Sequence, residues 1–208
     1  MLTLKTPQGV FVIIRHMQHD NPWQHLETKI VYKDEWIVVK NDKVVRPDAE
    51  PGSYTYIDGK DSVMILALNE NAEIYLEWTY RYPVKTWGWE LPGGGMDEIS
   101  PLEVAKRELN EEAGLTSRDW SELGKTSIYN GLVTGTMHYF KAEGLLANTH
   151  PAADDSEITN TGRFFSIASI NQMIVSSEIS DSHTIAGIHL FQLGDSSNHD
   201  WAQINEPH

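Results

Sequence analysis

The chain has 208 residues, no cysteine and a formal charge of −14. That length can bury a core as one sizeable domain or as a domain with an added subdomain, and the missing thiols exclude disulfides and thiolate metal sites. The acidic balance opposes a phosphate-backbone partner, so no nucleic acid is expected, and an anionic ligand would need a local divalent cation to reverse the sign.

The N-terminus offers only the apolar run Val10–Ile14, too short for a signal peptide or a membrane span, so no membrane partner and a cytoplasmic location are expected. Residues 1–56 read as a strand-rich region. In it "TKIVYKDEWIVVKNDKVV" carries β-branched and aromatic residues in near alternation, with "NDK" as the predicted hairpin turn, and "RPDAEPG" then punctuates the chain. A core domain over 57–193 follows. In it "SVMILALN" is a nearly continuous apolar run suited to a buried strand, with "EIYLEWTYRY" predicted to pair with it across "NENA". Later, "SIYNGLVTGTMHYFKAEGL" predicts two strands about a glycine-containing turn, "HPAADDSEITNTG" an acidic loop, and "RFFSI" a short strand. An amphipathic segment, "SINQMIVSSEISDSHTIAGIHLFQL", and a polar tail over 194–208 complete the chain.

Between these lies "WELPGGGMDEISPLEVAKRELNEEAGL". Ser100-Pro101-Leu102-Glu103 has the form of a capping box with proline at the first helical position, and Gly114 suits a left-handed C-terminus, so a helix over about 101–113 is predicted. At about 100° per residue, Leu102, Ala105, Leu109 and Ala113 form its packing stripe. Glu108 and Glu112 fall one turn apart beside it, with Glu111 next to them. Like charges at that spacing cost a few tenths of a kcal/mol. Two readings are open: a solvated acidic face, or a set of hard oxygen ligands for Mg²⁺ or Mn²⁺, joined by a carbonyl of "LPGGG", Gly93 in particular. Arg107 can reach Glu103 or Glu111 at i,i+4 and so orient the array.

The string Arg107-Glu108-Leu109-Asn110-Glu111-Glu112-Ala113-Gly114-Leu115 resembles the second half of the Nudix hydrolase signature, G-x5-E-x7-R-E-U-x-E-E-x-G-U, where U is apolar. The first half departs from it. Counting back from Arg107 puts the signature glycine on Gly93 and the first glutamate on Ile99, with Glu98 one place early; matching the text instead puts the glycine on Gly94. The resemblance implies altered support of Arg107, with Glu103 or Glu98 as substitutes, and retained metal binding by Glu108, Glu111 and Glu112.

"WTYRYP", "WGWELPGG", "VYKDEWIVV", "DDSEI" and "ISDSHTIAGI" together look like the ADP-ribose and nucleotide-sugar pyrophosphatases of that family. The likeness implies an α/β (α+β) fold, an α/β/α sandwich with a mixed sheet and an N-terminal antiparallel subdomain. It implies a Mg²⁺- or Mn²⁺-dependent hydrolase splitting a nucleoside diphosphate sugar into a nucleoside monophosphate and a sugar phosphate, with Arg107 and Glu111 in the catalytic set. By the same likeness Arg81 contacts phosphate or the sugar side, and Glu157 is the loop base or further metal ligand, with Asp154 and Asp155 as competitors. Trp36 stacks on the nucleobase, with Tyr54 or Tyr56 as a second plate, and the N-terminal strands exchange in a homodimer. Trp87 and Trp89 are read as either packing or base contact, and His138 and His183 as ordinary polar positions. "SIYNGLVTG" lacks the proline common after the box in ADP-ribose enzymes, which keeps GDP-mannose, dinucleotides and nucleoside triphosphates open as substrates. The altered first half also keeps open a nucleotide-sugar sensor with weak or no turnover.

Overall fold

The structure, a computed structural model, describes residues 2–5, 11–14, 21–96, 99–148 and 159–195. The chain divides into two compact units, Met1–Ile57 and Asp58–His208.

In the first unit β1 (Leu2–Lys5) and β2 (Phe11–Ile14) form an antiparallel pair, and β3 (Gln24–Lys33), β4 (Val38–Val45) and β5 (Pro51–Ile57) form an antiparallel meander. The hairpin turn predicted at "NDK" is corrected: Asn41, Asp42 and Lys43 lie inside β4, and the β3–β4 turn falls at Asp34–Ile37. Cross-strand partners explain this. The Asn41 amide donates to Thr55 at 2.7 Å and Lys43 to Glu27 at 2.6 Å, so polar side chains that favour turns are satisfied within the ladder. "RPDAEPG" does make a turn, with Ala49 at φ 67° and the Arg46 N–H bonded to the Glu50 carbonyl.

The second unit contains β6 (Ser62–Ala67), β7 (Ile74–Arg81), β8 (Thr86–Glu90), α1 (Pro101–Ala113), β9 (Leu115–Tyr129), β10 (Val133–Ala147), β11 (Thr159–Phe165), α2 (Ile167–Val175) and α3 (Ser182–Asp195). β9 and β10 form the expected long hairpin, β6 runs parallel to β10, and β7 sits between β11 and β8. The predicted pairing of β6 with β7 is therefore corrected to a single bridge, Leu68 to Ile74. The other edge of β6 is occupied by the glycine loop. Val63 N–H bonds to Gly94 O, Ile65 N–H to Pro92 O, and Ser62 bridges Gly95. A proline is admissible at position 92 because only its carbonyl is used there.

Alternation along β6 splits the core in two. Val63, Ile65 and Ala67 pack with Val104, Ala105 and Leu109 of α1, while Met64, Leu66 and Leu68 pack with Ile170 and Met173 of α2 and Ile188 of α3. Helices thus cover both faces of the strands, and a strand buried on both faces reads as a continuous apolar run. α1 has the predicted bounds: Ser100 accepts the Glu103 N–H, and Gly114 takes φ 62° beyond the end. The late amphipathic segment forms two helices, α2 capped by Ser166, and α3, where the Asp181 carboxylate accepts the Thr184 N–H at 2.6 Å. No helix of the described residues is long and apolar enough to cross a membrane.

Candidate active site

β8 runs straight into the glycine loop, and the loop lies along β6 and beneath the acidic side of α1. Pro92 and Gly94 turn their carbonyls to β6, and the intervening Gly93 turns its N–H the other way. The contact confirms that direction: Gly93 N–H donates to Glu112 Oε2 at 2.7 Å. Both glycines are required by close approach. A Cβ at residue 93 would lie 2.1 Å from the Val63 carbonyl oxygen, and one at 94 would lie 2.5 Å from Glu108 Cδ. At Gly95 a Cβ would meet nothing.

The carboxylates are organised by cations and main chain. Arg107 donates to Glu108 Oε1 at 2.7 Å and its Nε stands 3.7 Å from Glu111 Oε2, whereas Glu103 pairs with Lys106. Glu108 is only 13% exposed, which distinguishes it from a solvated acidic face. Ile99, where counting back from Arg107 puts the signature's first glutamate, is 46% exposed; Glu98 is outside the described residues. Among the described residues no three acidic or histidine side chains already converge on one point. The donor chemistry nonetheless fits a hard divalent ion: several carboxylates one turn apart, one packed against the glycine loop and another bonded to its main chain.

The strands add acidic groups that sequence reasoning missed. Glu77 on β7 lies directly opposite Glu90 on β8, and the two are 3% and 7% exposed. Thr79 donates to Glu77, and Arg81 holds Glu90 through Nε at 3.0 Å and a terminal nitrogen at 2.7 Å. Tyr75 shares their face of β7. Burial first, then the charges of Glu77 and Glu112, push its phenol above the ordinary value, while the Gly162 N–H at its oxygen opposes this. The available signal was alternation: Tyr75, Glu77, Thr79 and Arg81 take one side of a strand whose other side carries Ile74, Leu76, Trp78 and Tyr80. Arg81 and Glu90 line a cleft of about 370 Å³ with Val84, Ser180 and Asp181.

Trp87 stacks on Trp78 at 6.2 Å, and Trp89 meets Phe165 edge-on at 4.8 Å, so both belong to an aromatic ladder across β7, β8 and β11. His138 stands 3.7 Å from Asp61, and His183 Nδ1 3.3 Å from the Tyr139 hydroxyl. In the first unit Trp36 occupies the β3–β4 turn at 82% exposure, Tyr54 packs edge-on to Trp23 at 5.8 Å, and Tyr56 pairs with Lys40. Asp154, Asp155 and Glu157 lie outside the described residues.

A family model described as NUDIX domain matches residues 59–182. The chain is 26% identical over 173 residues to an ADP-ribose pyrophosphatase of Mycobacterium tuberculosis (strain ATCC 25618 / H37Rv), covering 82% of this chain and 83% of that one. It is 27% identical over 123 residues to a CMP-5'-(N-acetyl-N-hydroxy-3-aminopropyl)phosphonate hydrolase of Streptomyces rubellomurinus (strain ATCC 31215), covering 59% and 60%. A crystal structure of an ADP compounds hydrolase superposes with a TM-score of 0.77 at 17% identity, over 86% of this chain and 97% of that one.

Proposed function

Because the chain belongs to the NUDIX domain family and is a Nudix hydrolase, we propose that it cleaves the pyrophosphate bond of a nucleoside diphosphate sugar, ADP-ribose foremost. The observation that carries this reading is the clasp between loop and helix, Gly93 N–H on Glu112 and Gly94 against Glu108. It is supported by the likeness to an ADP-ribose pyrophosphatase over most of both chains.

Glu108, Glu111, Glu112 and the Gly93 carbonyl would hold Mg²⁺ or Mn²⁺. When bound, such an ion polarises the phosphoryl group and acidifies water. Arg107 keeps Glu108 and Glu111 aimed. Arg81, held through two nitrogens by Glu90, contacts phosphate or the sugar side of the substrate. Glu157 accepts the proton of the attacking water; a new O–P bond forms as the bridging P–O bond breaks, leaving a nucleoside monophosphate and a sugar phosphate. Trp36 stacks on the base, with Tyr56 or Tyr54 as its neighbour.

The first unit, residues 1–56 in this reading, is an arm that dimerises. Its support is β3, exposed along all ten residues, with Leu26, Ile30 and Tyr32 each about half open. A homodimer in the cytoplasm, without nucleic acid or membrane partners, follows from the same reading.

The test is a panel of ADP-ribose, ADP-glucose, GDP-mannose and a dinucleotide, each with Mg²⁺ or Mn²⁺, read as released phosphomonoester. Turnover of ADP-ribose is expected. Calorimetric binding without turnover would replace the enzyme by a nucleotide-sugar sensor, the reading favoured by the exposed Ile99. Light scattering that gives a monomer at micromolar concentration would remove the dimer.

A further inference from the structure

The β3–β4 turn is held by an aspartate to which no role has been given above. Four residues, Asp34 to Ile37, connect the strands, and the Asp34 N–H closes the loop on the Ile37 carbonyl at 3.1 Å. The side chain of Asp34 then makes three more bonds. Its Oδ1 accepts the N–H groups of Trp36 at 2.8 Å and Ile37 at 2.7 Å, and its Oδ2 accepts the Tyr32 hydroxyl at 2.9 Å.

We propose that Asp34 is a positioning residue, holding the Trp36 backbone at the turn so that its ring stands ready to stack on the base of the substrate. The proposal rests on the base-stacking reading of Trp36 given above. Trp36 is the most exposed aromatic side chain among the described residues at 82%, yet its backbone is bonded rather than loose. An exposed indole adds nothing to the core. A fixed one spares a ligand the cost of ordering it, which is how preorganised contacts gain affinity. An Asp doing this through its side chain forms a local turn of its own, independent of strand pairing. The carboxyl is held below its ordinary value chiefly by the Ile37 and Trp36 N–H groups and then by the Tyr32 hydroxyl, so it stays ionised and accepting at neutral pH.

The experiment uses the full chain labelled with 5-fluorotryptophan, with Trp36→Phe assigning the Trp36 resonance. In Asp34→Ala the Trp36 line narrows, KM for ADP-ribose rises roughly three- to tenfold and kcat stays within about twofold, the cost of ordering one loose side chain on binding. Asp34→Asn keeps an amide oxygen for the two N–H groups and restores both readouts. An unchanged Trp36 line in Asp34→Ala overturns the proposal. So does an unchanged KM in Asp34→Ala when Trp36→Ala raises KM. An unchanged KM in Trp36→Ala overturns the stacking reading itself, so the two failures are distinguishable.

Discussion

The glycine loop with α1 and the β3–β4 hairpin are ordered by opposite means. Around the loop, order comes from interlocking: Gly94 has no room for a methyl group, Val104, Ala105 and Leu109 are wholly buried, and the loop itself fills the edge of β6. Along β3 every residue is exposed, and order comes from the ladder and from one aspartate at the turn. The first arrangement suits chemistry, where carboxylates must hold their places within fractions of an ångström. The second suits recognition, where a surface must stay available to a ligand or to a second subunit.

The largest expected effect breaks the clasp chemically without touching its shape. Glu112→Gln keeps an oxygen for the Gly93 N–H but removes the charge, so the melting temperature should hold while kcat falls about a hundredfold or more, the scale for losing a charge-stabilising group in a site. Steady-state kinetics across a Mg²⁺ titration check this. A variant as active as wild type would take Glu112 out of the metal set, and wild-type turnover abolished by it would exclude the sensor.

Next comes the difference in how the two regions are held. Leu109→Ala, at zero exposure on the buried face of α1, should cost about 2–5 kcal/mol as a buried cavity. Ile30→Ala, on half-open β3, should cost within about 0.5 kcal/mol in a monomer. Urea unfolding compares them. If Ile30→Ala is as costly as Leu109→Ala and its loss depends on protein concentration, β3 is covered by a second copy.

Legibility followed the same division of short-range from long-range causes. The α1 helix was readable to the residue because its cap, its Pro101, its apolar stripe and its Gly114 all lie within one stretch of sequence. Glu77, Glu90 and Tyr75 were not, because they matter only once β7 pairs with β8 and α1 covers that face. "NDK" misled because turn-forming side chains found partners across two strands, the tertiary override of a local preference. The β6–β7 hairpin misled for a related reason: no local rule announces that a distant glycine loop will take the strand's free edge.

A smaller effect separates two adjacent glycines. Gly94→Ala places a Cβ 2.5 Å from Glu108 Cδ, while Gly95→Ala meets nothing within 4 Å. The carboxylate must move in the first, at an overpacking cost of about 1–3 kcal/mol that should appear as a drop of roughly tenfold in kcat/KM. The second variant should match wild type. Equal activity in the two would mean that the contact between loop and Glu108 does not set the geometry of the site.

The smallest effect is a pH limb. The Tyr75 phenol is raised by burial, then by Glu77 and Glu112, and Tyr139 is raised by burial as well. An acid whose folded value is raised binds its proton more tightly folded than unfolded. Its stabilisation is therefore complete below the ordinary tyrosine value of about 10 and is lost as pH climbs from there through the folded value. Asp34, lowered by main-chain N–H groups, has the reverse sign: its contribution stands above the ordinary aspartate value of about 4 and fades as pH falls through the lower folded one. Tyr32, which donates to Asp34, is raised like the core tyrosines, so the alkaline limb as a whole does not assign the effect to one region. Tyr75→Phe does. It removes one titrating group from the core, and its melting temperature should fall less steeply above about pH 10 than that of wild type. Parallel slopes in the two proteins would mean that the alkaline loss arises at Tyr139 or at the exposed hairpin and not beside the carboxylates of α1.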